Sequence, residues 1–99
     1  MIVATAGSEV ARLRSEIERI DRAIVNLIGE RVRVASEIGG AKRTAGVPLV
    51  DPAREAAIVR RAGDLARQEG LPEEDVRDLF WRLVALSRRT QLETLSGAA

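Results

Sequence analysis

A long apolar stripe near the start of the chain restricts its fold more than any other feature. Apolar residues recur at alternating intervals of three and four, which is the spacing of one face of a long helix. The members of this stripe are Val10, Leu13, Ile17, Ile20, Ile24, Leu27, Val34 and Ile38. Arg31 occupies the stripe position between Leu27 and Val34. Because arginine does not lose its proton, this charge needs either a carboxylate of the chain or an anionic ligand.

The stripe also predicts a partner. We expect a first helix from about Ser8, as its N-cap, to Arg43, ended by Gly46 and Pro48. Such a helix would be roughly 50 Å long. One globule of 99 residues cannot cover its apolar face, so we expect a second copy of the chain to do so.

Two shorter helices are expected to follow. Asp51 is a good N-cap and Pro52 a good first residue for the second helix, which Gly70 ends. Its expected buried positions are Ile58, Ala62 and Leu65, with Glu55 on the same face. The third helix begins near Leu71 and Pro72. Its inward face starts with Val76, Phe80 and Leu83 and becomes polar at Ser87 and Gln91.

Composition agrees with an all-α fold and narrows the chemistry. Aromatic residues are 2% of the chain, and 16 basic residues nearly balance 15 acidic ones, which argues against a nucleic-acid binder. Because the chain has no cysteine and no histidine, thiol or imidazole catalysis and metal sites built on thiolate or imidazole ligands are excluded. We expect a folded domain over residues 8–95, a flexible tail over 1–7 and a frayed tail over 96–99. No signal peptide or membrane span is expected, so we predict a cytoplasmic protein.

Each expected helix carries polar residues on its inward face. Arg31 and Lys42 share a face of the first helix, being eleven residues apart, and Glu55 stands beside Arg54 on the second. Arg14 lies about a quarter-turn away from the direction of Arg31, where it would reach a neighbouring subunit.

Structural roles are possible for each of these residues alone. Arg31 would pair with Glu55 or Glu30, and Lys42 would complement a helix dipole. Burying the whole set without partners would cost about 1–3 kcal/mol for each group, which favours a site for a small dicarboxylate.

Several segments together resemble a known family over roughly residues 9–93. The segments of the first helix are Leu13-Arg14, Ile20-Asp21, Glu30-Arg31, Ile38-Gly39 and Ala41-Lys42. They are followed by the run from Pro48 to Glu55 and by Leu79-Phe80 with Ser87 and Gln91. This order and spacing resemble the all-helical chorismate mutases.

The resemblance implies an intertwined, domain-swapped homodimer of three-helix protomers with two equivalent sites. It implies conversion of chorismate to prephenate, a step toward phenylalanine and tyrosine, with no cofactor and no metal. Arg31 would bind one substrate carboxylate, and Arg14 of the other subunit would bind the second.

The same resemblance assigns the remaining site residues. Lys42 and Gln91 would hydrogen-bond the ether oxygen, so that Lys42, Gln91, Arg31 and Glu55 form the catalytic set. Asp51 and Glu55 would lie at the ring hydroxyl, and Arg54 and Ser87 would complete the substrate-binding shell.

Three alternatives remain at this point. The same scaffold resembles isochorismate pyruvate lyase, although Glu55 and Ser87 match the mutase pattern better. A mutase of 4-amino-4-deoxychorismate also fits, because a carboxylate can face an amine as well as a hydroxyl. The third alternative is a non-catalytic helical dimerisation module, in which Arg31 would be paired internally.

Overall fold

The structure, a computed structural model, describes residues 2–97, with side chains from 6 to 93, and all regular secondary structure in this part of the chain is α-helical. The helices are α1 (Ile2–Ala45), α2 (Pro52–Gln68) and α3 (Glu73–Gly97). The expected all-α class with three helices is therefore confirmed. The chain divides into two compact units, Met1–Glu30 and Arg31–Ala99, each described below by itself.

The first unit is a stretch of α1 with an uncovered apolar face. Its stripe residues, from Val10 to Leu27, are between 42% and 61% exposed. Its ion pairs stay within the helix: Arg12 binds Glu9 and Glu16, and the Arg12 guanidinium lowers the pKa of the Glu9 carboxyl. The expected N-cap at Ser8 is wrong, because the helix begins at Ile2 and Ser8 lies inside it. Residues 2–7 of the expected tail are thus helical, whereas Met1 lies outside the described residues.

Two glycines end the first two helices. Gly46 and Gly70 both have φ of +71°, a left-handed conformation that glycine adopts without steric cost. After Gly46, the Val47 N–H donates to the Lys42 carbonyl at 3.0 Å. After Gly70, the Leu71 N–H donates to the Ala66 carbonyl at 2.8 Å. These bonds satisfy helix-end carbonyls and set the short turns that lead into α2 and α3.

The second unit has its own core where α2 packs on α3. Val59, Ala62, Ala66 and Val84 are its buried apolar residues. The expected burial of Leu65 is wrong, because that side chain is 48% exposed. The buried face of α2 consists of Val59, Ala62, Gly63 and Ala66, and Leu65 lies to one side of it.

Gly63 shows how closely α2 and α3 approach each other. A Cβ atom at this buried position would lie 2.7 Å from Nη1 and 3.2 Å from Cγ of Arg77 on α3. The absence of a side chain therefore lets Arg77 lie across α2, with its guanidinium on Glu73.

Within the described residues, the helices lack the apolar length that a membrane crossing requires.

Candidate functional site

Arg31 of α1 is joined to α3 through Ser87. The Arg31 Nη1 donates to the Ser87 Oγ at 2.8 Å, and Ser87 is a buried polar residue with 7% exposure. The pairing of Arg31 with Glu55 or Glu30, the structural alternative from the sequence, is wrong. A neutral hydroxyl orients the guanidinium without cancelling its charge, so the charge remains available to an anion.

Gln91 lies one turn beyond Ser87 on α3 and also contacts α1. Its Nε2 donates to the Ala35 carbonyl at 2.6 Å. A primary amide has two N–H donors, so this bond anchors Gln91 while the second N–H stays available. The structure thus joins α3 to α1 at two points, through the bond from Arg31 to Ser87 and the bond from Gln91 to Ala35.

Gly39 makes room for Gln91. It is buried in α1, and a Cβ atom there would lie 3.2 Å from the Gln91 Cγ. The next residue, Gly40, has no atom within 4 Å of the same constructed position. Sequence reasoning missed the role of Gly39. The sequence feature that could have indicated this role is the pair of small residues Ala35 and Gly39, four positions apart on the face of α1 that carries Arg31.

Lys42 forms a hydrogen bond with the loop that connects α1 and α2. Its Nζ donates to the Leu49 carbonyl at 3.1 Å, and its own backbone carbonyl accepts the Val47 N–H. The ammonium group carries three N–H donors, so this bond leaves two for another acceptor.

Asp51 caps α2, as expected. Its Oδ1 accepts the Arg54 backbone N–H at 3.0 Å, and Pro52 takes the first turn of the helix. The Arg54 side chain is exposed. The structure thus ties Asp51 to Arg54 through the backbone alone, and the Arg54 guanidinium is not joined to the Arg31–Ser87 group by any bond among the described residues.

Glu55 forms an ion pair that sequence reasoning missed. Arg88 of α3 donates from Nε to Glu55 Oε2 and from Nη2 to Oε1, both at 3.1 Å. The Glu55 side chain is 17% exposed and that of Arg88 38%. A signal was present, because Arg88 follows Phe80 and Val84 at intervals of four along the inward face of α3.

The half-buried cations divide into two pairs. Among the side chains described, residues 6–93, four basic ones are half-buried: Arg31, Lys42, Arg77 and Arg88. Arg77 and Arg88 have carboxylate partners, whereas Arg31 and Lys42 bind a neutral hydroxyl and a carbonyl. Leaving a partly desolvated charge without a counter-charge is costly, so Arg31 and Lys42 are suited to an anionic ligand.

Arg14 belongs to the first unit. It is exposed there, and no carboxylate among the described residues pairs with it. In that respect it differs from its neighbour Arg12, which binds two glutamates.

The chemistry available to this site is binding and electrostatic stabilisation. Arg31, Lys42 and Gln91 offer a guanidinium, an ammonium and an amide with N–H donors to spare, and Arg88 holds the Glu55 carboxylate. Within the described residues, no group of three or more acidic, histidine or cysteine side chains is placed to hold a metal ion.

Comparisons with known proteins agree with this chemistry. The sequence model of the chorismate mutase type II family matches residues 13–92. The chorismate mutase of Methanocaldococcus jannaschii is 30% identical over 87 residues, covering 88% of each chain. The 4-amino-4-deoxychorismate mutase of Streptomyces venezuelae is 29% identical, covering 77% of this chain and 74% of its own.

Other relatives are much longer proteins. The T-protein of Enterobacter agglomerans is 29% identical over 78% of this chain, but the match covers 21% of its own length. The chain thus spans about a fifth of the length of several curated relatives that it matches.

Proposed function

We propose that this chain, which belongs to the chorismate mutase type II family, catalyses the rearrangement of chorismate to prephenate. The observation that carries the proposal is the pair of half-buried cations, Arg31 and Lys42, that have no carboxylate partner among the described residues. The family match over residues 13–92 supports the same reaction. Chorismate is a dicarboxylate with an ether oxygen, and both features call for cationic donors.

The reaction requires little from the protein beyond shape and charge. In a Claisen rearrangement, one C–O bond breaks while one C–C bond forms within a single molecule, and no proton need be transferred. Arg31 would hold one carboxylate so that the enolpyruvyl arm lies over the ring. Fixing the reacting groups in this geometry lowers the barrier to the rearrangement. Ser87 fixes the direction of the Arg31 guanidinium for this task.

Lys42 and Gln91 would stabilise the transition state. Negative charge gathers on the ether oxygen as the C–O bond lengthens, and donors already aimed at that oxygen lower the barrier. Lys42 is anchored by the Leu49 carbonyl and Gln91 by the Ala35 carbonyl, so both are held in place with N–H groups to spare.

Asp51, Arg54 and Glu55 would complete the substrate shell. Glu55 would accept a hydrogen bond from the ring hydroxyl, assisted by Asp51, and Arg54 would add positive charge toward a carboxylate. These roles come from the resemblance to the family. The half-buried position of the Glu55 carboxylate supports the role of Glu55 as a hydrogen-bond acceptor.

An intertwined homodimer with shared sites belongs to the same proposal. The six stripe residues of the first unit are 42–61% exposed, and Val34 and Ile38 of the second unit are 53% and 48% exposed. A second copy would bury these faces, each apolar Å² contributing about 25 cal/mol. Arg14, exposed and without a carboxylate partner among the described residues, would bind a substrate carboxylate in the other subunit's site.

The cell compartment is also part of the proposal. The chain has no cysteine, which suits the reducing cytoplasm, where we place the protein.

A second candidate substrate is 4-amino-4-deoxychorismate, in which an amine replaces the ring hydroxyl. The similarity to the Streptomyces venezuelae enzyme favours considering it. The isochorismate lyase and the non-catalytic dimerisation module have no comparable support in the structure.

The test is to incubate the purified protein with chorismate and follow its loss and the formation of prephenate. Isochorismate and 4-amino-4-deoxychorismate serve as parallel substrates, and Arg31→Ala serves as the inactive control. We expect rapid prephenate formation from chorismate that the control lacks. Turnover of isochorismate alone, or of none of the three, would refute the proposal.

A further inference from the structure

The Glu55 carboxylate is not an isolated negative charge. Both of its oxygens accept a hydrogen bond from one guanidinium, Arg88, in parallel bonds of 3.1 Å. Such a bidentate pair fixes the plane of the carboxylate and is nearly neutral when seen from outside. Each oxygen has a second lone pair, so Glu55 can still accept one more hydrogen bond.

A nearly neutral acceptor discriminates between two kinds of donor. A hydroxyl needs a correctly placed lone pair and gains little from net charge. A primary amine is cationic near neutral pH, so it needs a counter-charge and is repelled by a guanidinium close by. With Arg88 in place, the oxygen that would receive an ammonium is already shared with another cation.

We propose that Arg88 is a specificity-determining residue that makes this site select a hydroxyl over an amine on the substrate ring. The inference rests on the proposed function, since it takes Glu55 to be the residue that contacts this ring substituent. It adds Arg88 to the site residues that the resemblance to the chorismate mutases assigns.

The position of Arg88 supports this role. It directly follows Ser87, which orients Arg31, and precedes Gln91 by less than one turn. Arg88 thus lies on the same turn of α3 as two residues assigned to the substrate, and it joins that turn to α2 through Glu55.

The experiment measures kcat/KM for chorismate and for 4-amino-4-deoxychorismate with the wild type and four variants. Arg88→Met removes the charge, Arg88→Gln removes it while keeping a donor, and Arg88→Lys keeps it. Arg89→Met is the matched control, because Arg89 is the next residue on α3 and is exposed. Circular dichroism checks that each variant is folded.

The readout is the ratio of the two specificity constants. We expect the wild type to favour chorismate and Arg88→Met to shift the ratio toward the amine by about tenfold or more, because Glu55 then presents a full negative charge. Arg88→Lys keeps the positive charge but not the two parallel bonds, so its ratio should lie between those of the wild type and Arg88→Met, and Arg89→Met should match the wild type. If Arg88→Met does not fold, Arg88→Gln gives the same comparison.

Loss of activity on both substrates in equal measure would mean that Arg88 is only structural, because destabilisation does not alter a ratio. An unchanged ratio in the folded variants would overturn the specificity role, as would a wild type that prefers the amine. A wild type without activity on chorismate would instead defeat the proposed function, so the two failures are distinguishable.

Discussion

The two units of the chain differ in whether they bury an apolar core of their own. In the second unit, Val59, Ala62, Ala66 and Val84 are buried at 2–4% exposure, and polar contacts join residues more than thirty positions apart. In the first unit, the described apolar stripe residues are at least 42% exposed, and the ion pairs that Arg12 makes join residues three or four positions apart. Both units are helical and both carry strong periodicity.

The difference shows that periodicity alone does not tell where a face is buried. The second unit buries one face of α2 against α3, although Val34 and Ile38 of the same unit stay exposed. The first unit carries a pattern that nothing described within it covers. We infer that its stripe and its Arg14 serve a second copy of the chain, in line with the proposed dimer.

The largest effect should follow from a charge on the stripe of the first unit. Ile20→Glu should abolish both the dimer and the activity, because a buried unpaired carboxylate costs about 3–5 kcal/mol. The matched control is Asn26→Glu, which adds the same charge to an exposed polar position off the stripe. Sedimentation equilibrium at micromolar concentration measures the outcome, and a dimeric, active Ile20→Glu protein would show that the stripe does not mediate assembly.

The next effect concerns donors assigned to the transition state. Lys42→Ala and Gln91→Ala should each lower kcat by about 10²-fold or more, since their donors act mainly on charge that develops during the reaction. Thermal unfolding should change little, because each side chain makes one hydrogen bond to a carbonyl. Steady-state kinetics checks this, and a variant that loses affinity at unchanged kcat would contradict its role.

A smaller effect is expected at Gly39. Gly39→Ala places a Cβ atom 3.2 Å from the Gln91 Cγ and should displace that side chain by a few tenths of an ångström. We expect kcat to fall by about tenfold with a smaller change in KM. Gly40→Ala, which meets nothing within 4 Å, should leave kcat unchanged. Both substitutions raise helix propensity equally, so equal kinetics in the two variants would exclude the positioning role.

The smallest effect should come from a half-buried cation that already has its carboxylate. Arg77→Gln removes the ion pair with Glu73 and part of the packing over Gly63. The free energy of unfolding should fall by about 0.5–1 kcal/mol with kcat unchanged. Urea unfolding at one fixed protein concentration measures it, and a large loss of activity would place Arg77 among the functional residues.

Much of the fold was predictable because its signals are local. The Asp51 cap, Pro52 and the glycines Gly46 and Gly70 act within a few residues of their own positions. The start of α2 and the ends of α1 and α2 lie within a few residues of the places that these signals predict. The inward face of α3 was also predictable, since Ser87 follows the apolar period.

The predictions from the sequence fail where contacts between residues distant along the chain determine the structure. The face of α2 that is buried depends on how α3 packs against it. The sequence pattern alone therefore predicts an inward Leu65, whereas the structure has it exposed. The partner of Glu55 was missed because Arg88 lies 33 positions away, and the inward spacing of Arg88 on α3 does not show which carboxylate it meets. No single-sequence pattern distinguishes among such partners.

A mixture of two inactive variants is the most direct test of sites shared between copies. Arg14→Ala and Arg31→Ala should each be nearly inactive as homodimers, because one substrate carboxylate loses its cation. The two are refolded together from denaturant, and heterodimers are confirmed by mass spectrometry. If Arg14 serves the partner's site, one site in each heterodimer carries both defects and the other carries none, so activity should return to roughly one working site per heterodimer. Confirmed heterodimers without recovered activity would contradict the shared site.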